Sequence, residues 1–162
     1  MDPNCIFCKI AAGQVPCHKI YEDGRVLAFL DLGPLSAGHA LVIPKHHAKE
    51  LGDLPDDDAA AVGKVLPRLA RAIARATGTR AYNVLINIGE PAGQVVMHVH
   101  YHIIPKPIDA PAPGIAPGSA PAPGSASIGQ PGTGLGLHWP AGKLDPDAAG
   151  TLAKKICSVM DP

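Results

Sequence analysis

His98-Val99-His100-Tyr101-His102-Ile103-Ile104 sets three imidazoles at every second position. In an extended chain, residues two apart point to the same face. The three histidines would then line one face of a strand, with Val99, Tyr101 and Ile103 turned to the core. Besides plain solvent exposure, two kinds of chemistry suit such a row. Three imidazoles can hold a metal ion and leave a fourth position for an activated water. Alternatively, one neutral imidazole attacks a phosphorus atom while its neighbours donate hydrogen bonds to the oxygens of the transferring group. Side chains about 7 Å apart on a strand surround a small anion readily. They converge on one metal only if the strand twists strongly. The spacing alone leaves both readings open. A second set of chemically capable residues, Cys5-x-x-Cys8, has the spacing of a zinc knuckle or a redox pair.

These residues need elements to hold them. Cys5 to Gly13 reads as a short helix with Ile6, Phe7 and Ile10 on its apolar side. Residues 18–22 and 25–30 read as a hairpin around Asp23-Gly24, a pair that favours tight turns because glycine tolerates positive φ. A third strand runs over 39–44 and stops at Pro44, which has no N–H for a ladder. The spacing predicts a long helix over 55–77. Val62, Val65, Leu66, Leu69 and Ile73 recur at three and four residues, Asp56–Asp58 open it, and Thr77-Gly78 close it. Pro67 removes one backbone bond within it, opposite Gly63, where a bend is easily absorbed. Further strands follow at 81–88 and 97–104, around the turn-like Gly89-Glu90-Pro91-Ala92-Gly93. Five strands grouped with one long helix, without βαβ alternation, predict an α+β domain on an antiparallel sheet. A closing helix is expected over 145–159.

From Pro107 to Gly136 the composition changes, with fourteen of thirty residues Pro or Gly and Asp109 alone charged. Such a stretch buries too little apolar surface to offset its ordering entropy, so a mobile, partly extended insertion is expected. The organisation read from the sequence is therefore 1–106, the insertion 107–136, and 137–162 completing the same domain. The formal net charge is zero over 162 residues, which argues against a broad nucleic-acid footprint. No basic n-region with an apolar run follows Met1, and no stretch approaches the roughly 20 apolar residues of a membrane helix. The expectation is a soluble, cytoplasmic protein with reduced thiols and no membrane or nucleic-acid partner.

The triad segment resembles the histidine-triad (HIT) superfamily, whose signature alternates three histidines with apolar residues. Here Val99, Tyr101, Ile103 and Ile104 fill the apolar positions. The likeness extends to Leu41-Val42-Ile43-Pro44-Lys45 with His47, to Asn87, to Gly93-Gln94, to Cys5-Ile6-Phe7-Cys8, and to His138-Trp139-Pro140 of the Hint-like branch. It covers about residues 4–106 and a short block at 137–142. The resemblance implies a HIT-like fold that pairs as a two-fold homodimer. It also implies cleavage of a purine nucleotide at its α-phosphate through a covalent nucleotidyl-histidine. Carried over, His100 is the nucleophile, His102 bonds phosphate oxygens or the leaving group, and His98 orients His100 or binds metal. Asn87 and Gln94 match positions near the phosphate, Asp31 the ribose acid, and Ile6, Phe7, Ile10 and Phe29 the wall for the base. Trp139 matches a residue that reaches a partner's site. Bacterial-type relatives imply a structural zinc on Cys5, Cys8, His47 and His98, with His39 and His46 as nearby substitutes. Val95 departs from the family, which often has a hydroxyl there. Dinucleoside-polyphosphate hydrolysis and a zinc-stabilised nucleotide-binding module are the alternative readings.

Overall fold

The computed structural model describes residues 1–106 and 142–160. The expectations for the 107–136 insertion and for Trp139 lie outside the described residues. The elements, in order, are α1 (Ile6–Ala11), β1 (Lys19–Glu22), β2 (Val26–Leu30), β3 (Ala40–Pro44), α2 (Asp56–Thr77), β4 (Tyr82–Ile86), β5 (Tyr101–Pro105) and α3 (Pro146–Ser158). The strands form one five-stranded sheet in the order β1-β2-β3-β5-β4, with every neighbouring pair antiparallel. Among the described residues, no helix is long and apolar enough to cross a membrane.

The alternation of side chains divides the sheet into two faces with different tasks. Val26, Ala28 and Leu30 of β2, Ala40 and Val42 of β3 and Ile103 of β5 pack beneath α2. There they meet Val62, Val65, Leu69, Ala72, Ile73 and Ala76, joined by Ala149, Ala153 and Ile156 of α3. The intervening residues, Leu27, Phe29, Leu41 and Ile43, face the other way and pack against Phe7, Cys5 and Cys8 at α1. β2 and β3 are thus buried on both faces, which is why they read as continuous apolar runs and not as alternating ones.

The long helix runs unbroken past Pro67, which is exposed, and ends at Gly78 in the left-handed conformation with φ of 74°. Its first turn is tied to the sheet by Asp58, whose Oδ1 accepts from Arg25 at 2.8 Å. The hairpin turn is built differently from the expectation. Gly24 is not among the glycines with positive φ. Instead, Asp23 Oδ1 accepts the N–H groups of Arg25 and Val26 at 2.8 and 2.7 Å, so the side chain closes the turn.

The 97–104 strand is a larger correction. The ladder starts only at Tyr101, so His102 alone of the three histidines is paired within the sheet, opposite Leu41 and Leu85. Residues 97–100 are irregular, because Val99 N–H bonds Ala48 O at 2.8 Å, outside the sheet. Nor do the imidazoles line a surface. His98, His100 and His102 are 0, 5 and 6% exposed, and Phe7 of α1 lies edge-on against the first two.

Gly38 precedes β3 with φ of 86°, and a Cβ there would stand 2.7 Å from Thr77 Cγ2. Gly38→Ala combines left-handed strain with overpacking, so equilibrium unfolding in urea should show a loss of about 2–4 kcal/mol. Gly78→Ala meets open space at φ of 74° and should cost only about 1–2 kcal/mol.

Candidate functional site

Three segments converge on the α1 side of the sheet. α1 brings Cys5 and Cys8, the segment after β3 brings His47, and the irregular chain before β5 brings His98. Their ligand atoms all lie within 4.8 Å of one another. His98 Nδ1 is 3.5 Å from Cys5 Sγ and 3.7 Å from Cys8 Sγ, and His47 Nδ1 is 3.3 Å from Cys8 Sγ and 3.2 Å from His98 Nδ1. With Zn–S of about 2.3 Å and Zn–N of about 2.0–2.1 Å, the edges of a tetrahedral site come to roughly 3.3–3.8 Å.

What lies behind these ligands also fits a metal. His98 Nε2–H donates to Pro44 O at 2.9 Å, which fixes the lone pair on Nδ1, toward the cluster. His47 Nε2 faces the Asp2 carboxylate at 3.7 Å, and Asp2 N–H points to Cys8 Sγ at 3.3 Å. Acceptors behind the ligating imidazoles and a donor to the thiolate are the usual outer partners of such a site.

A second cluster, Asp31, His39 and His102, is equally compact, but its far nitrogens are arranged otherwise. The N–H of Leu35 donates to His39 Nδ1 at 3.1 Å, so that nitrogen carries the lone pair and the proton sits on Nε2. Nε2–H then points to His102 Nδ1 at 2.9 Å, with Asp31 Oδ2 at 3.5 Å. His102 Nδ1 accepts, and its own proton is on Nε2. A metal at His39 Nε2 would displace that proton onto a nitrogen already facing an N–H. This cluster therefore orients protons, whereas the first presents a donor set that fits a metal. His39 was expected only as a nearby substitute ligand for zinc, and its pairing with His102 was not foreseen; the signal that could have found it is its position two residues before Leu41, on the same face.

His100 lies between the two clusters. Its Nδ1–H donates to the carbonyl oxygen of His98 at 2.7 Å, which leaves the lone pair on Nε2. Its ring lies 5.2 Å from Phe7 and 5.0 Å from His102, both edge-to-face. Burial pushes the pKa of His100 down, against the His98 carbonyl and Asp31, which raise it. Burial likewise lowers His39 to about 4, helped by Lys106, and His102 to about 3, helped by His100 and His39. At neutral pH these imidazoles are uncharged, as a nucleophile and an oriented hydrogen-bond donor require.

Of the expected base wall, Phe7 packs edge-on against Phe29 at 5.8 Å, Ile10 joins the same apolar group, and Ile6 is largely exposed. Asn87 Nδ2 reaches Gly93 O at 3.4 Å. Gln94 is turned inward: Oε1 accepts from Gly89 N at 2.6 Å, and Nε2 donates to Lys49 O at 2.8 Å and Val96 O at 3.1 Å. Its carboxamide braces the 89–96 loop. Val95 beside it is 88% exposed.

The family model for the HIT domain matches residues 12–107. The adenosine 5'-monophosphoramidase hnt1 of Schizosaccharomyces pombe is 41% identical over 155 residues, covering 96% of this chain and 97% of that protein. The adenylylsulfatase HINT3 of Arabidopsis thaliana is 48% identical over 103 residues, covering 64% of this chain and 52% of that protein. Among solved structures, a zinc-bound histidine triad family protein from Mycobacterium smegmatis superposes with a TM-score of 0.71 at 29% identity, covering 96% of this chain and 91% of that one.

The lowered histidine pKa values carry a stability consequence. Unfolded histidines titrate near pH 6.5, while His39 and His102 in the folded chain do so near 4 and 3. Between these values the unfolded state binds more protons. The stability these groups contribute is therefore complete above pH 6.5 and is lost as pH falls. Urea unfolding from pH 6.5 to 4.5 should show it declining, with His39→Asn lowering the slope by at most about 1.4 kcal/mol per pH unit. A pH-independent midpoint in the parent protein would contradict this account.

Proposed function

The chain belongs to the HIT family, and on that footing we propose that it binds a purine nucleotide and cleaves it at the α-phosphate through a covalent nucleotidyl-histidine on His100. The single observation carrying this reading is the buried 2.7 Å bond from His100 Nδ1–H to the His98 carbonyl, since it gives Nε2 the attacking lone pair. A nucleoside phosphoramidate or a related AMP-linked compound is the proposed substrate. The fission-yeast relative is an adenosine 5'-monophosphoramidase, which supports that class.

In this mechanism His100 Nε2 forms a bond to the α-phosphorus as the bond to the leaving group breaks. His102, uncharged, acts as a hydrogen-bond donor through Nε2–H to a phosphate oxygen or the leaving atom. His39 is a positioning residue, because its Nε2–H keeps the His102 proton on the substrate side. An acidic leaving group departs as its anion, and an amine departs with a proton brought by solvent or carried on the substrate nitrogen. Water then adds to phosphorus, the N–P bond breaks, and His100 recovers its lone pair as the nucleoside monophosphate leaves with a proton released to solvent. Asp31 takes the ribose hydroxyls, and Phe7, Phe29, Ile6 and Ile10 flank the base. The 89–96 loop, braced by Gln94, offers backbone N–H groups to the phosphate, with Asn87 beside it. Trp139 is assigned the partner-reaching role of its family counterpart.

Cys5, Cys8, His47 and His98 would hold a zinc ion, which would tie α1 to the sheet. The protein is proposed to act as a homodimer. The edge strand β4 supports this, since Tyr82 and Val84 are 43 and 46% exposed on a strand whose outer hydrogen-bonding groups face away from the sheet. The four cysteines are free thiols, in keeping with a reducing, cytoplasmic setting.

Intact-protein mass spectrometry after mixing with a lysyl- or tryptamine-linked adenylate tests the chemistry. One transient AMP adduct is expected on the parent protein and none on His100→Ala or His100→Gly. Tight AMP binding with neither adduct nor released AMP, repeated with dinucleoside polyphosphates, would leave a nucleotide-binding module in place of an enzyme. For the metal, elemental analysis should find one zinc per chain. Chelation, or Cys8→Ser, should lower the thermal midpoint by several degrees, in line with a loss of roughly 1–2 kcal/mol or more.

A further inference from the structure

His98 serves both halves of the site with different atoms. Its Nδ1 faces Cys5, Cys8 and His47, while its backbone carbonyl holds the Nδ1–H of His100. That carbonyl belongs to a peptide outside the sheet, since the ladder begins at Tyr101. Its direction depends on two local bonds, His98 N–H to Val96 O and Val99 N–H to Ala48 O, and on where the His98 side chain is anchored. Phe7 supplies a second link. It sits between Cys5 and Cys8 on α1, and its ring lies edge-on at 5.9 Å from His98 and 5.2 Å from His100. α1 has six residues, no side-chain cap bond at its start and no acidic residue in its first turn. So short a helix has little stability of its own, and its position is set by what it is tied to.

Resting on the reading of His100 as nucleophile, we propose that the Cys5–Cys8–His47–His98 clasp is a positioning device for His100. A divalent metal held there fixes the His98 carbonyl and the Phe7 ring, and these two together fix the orientation and tautomer of the His100 imidazole. When the clasp is open, the His98 peptide and α1 lose their common anchor. The His100 proton is then no longer confined to Nδ1, and a proton on Nε2 occupies the lone pair that attacks phosphorus. The nucleotide is held elsewhere, by the ribose, base and phosphate contacts, so metal loss acts on the rate of nucleotidyl transfer and little on nucleotide affinity.

The test is long-range 1H–15N NMR of the histidine rings at pH 7.5 without substrate, on the full chain stripped of metal and then titrated with zinc. Zinc-loaded protein should show His100 as a single Nδ1–H tautomer. The metal-free protein should show shifts intermediate between the two tautomers, moving to the first in step with zinc occupancy. In parallel, rapid-quench mass spectrometry should find nucleotidylation of His100 slowed by about 10–100-fold without metal, with AMP affinity by calorimetry changed less than about threefold. If stripping all metal unfolds the chain, His47→Gln compared at limiting and saturating zinc gives the same readout. A His100 tautomer and a nucleotidylation rate that ignore zinc occupancy in a folded protein would overturn the proposal. Absence of any adduct even in zinc-loaded protein would overturn the nucleophile reading instead, and the ring shifts would still report whether clasp and imidazole are coupled.

Discussion

The hydrogen bond from His100 Nδ1–H to the His98 carbonyl oxygen is buried and 2.7 Å long, and the rest of the site is arranged around it. It settles which nitrogen of His100 has a lone pair, and it draws in three requirements. The His98 peptide must hold one direction, the ring must be shielded from water that would compete for its nitrogens, and nearby groups must tolerate an uncharged imidazole. The irregular segment before β5, the covering helix α1 and the neighbouring neutral histidines answer these in turn. A buried polar contact of this kind is costly to leave half-made, so the His100 ring and its support have to be built together.

The two faces of the sheet divide the labour. Beneath α2 and α3 the packing is predominantly apolar, and Leu69, Ile73, Ile103 and Ile156 are almost completely buried. That side supplies most of the hydrophobic stabilisation and a rigid floor. The opposite face carries a thinner apolar layer under α1, into which the histidines are set. Four largely buried imidazoles there oppose protonation through desolvation, lowest at His102. The stability to carry such residues comes from the face that does no chemistry.

Two compact clusters sit within this layer, one with two thiols and two imidazoles, the other with a carboxylate and two imidazoles. The difference lies behind each ring. His98 has a carbonyl behind it and His39 has an N–H behind it. The first arrangement turns a lone pair toward two sulfurs and a second imidazole, and the second turns a proton toward His102. A backbone group one contact away thus decides whether an imidazole turns a lone pair or a proton toward its neighbours.

Much of this was legible in the chain. The period of α2, the apolar strands read at 25–30 and 39–44, the Cys5–Cys8 spacing and the alternating histidines are local patterns, and local patterns follow from backbone geometry that every residue shares. They gave the α+β sheet, the length of the long helix and the residues with chemical capacity. What sequence could not decide was long-range. His98 and His100 lie outside the ladder because Ala48, about fifty positions earlier, takes the N–H of Val99. His39 looked ordinary because its meaning depends on Leu35 N–H and on His102, 63 residues away. Gln94 is a loop brace because Gly89, Lys49 and Val96 surround its amide. Residue type fixes what a side chain can donate or accept. Only the tertiary structure brings up the partner that selects which it does.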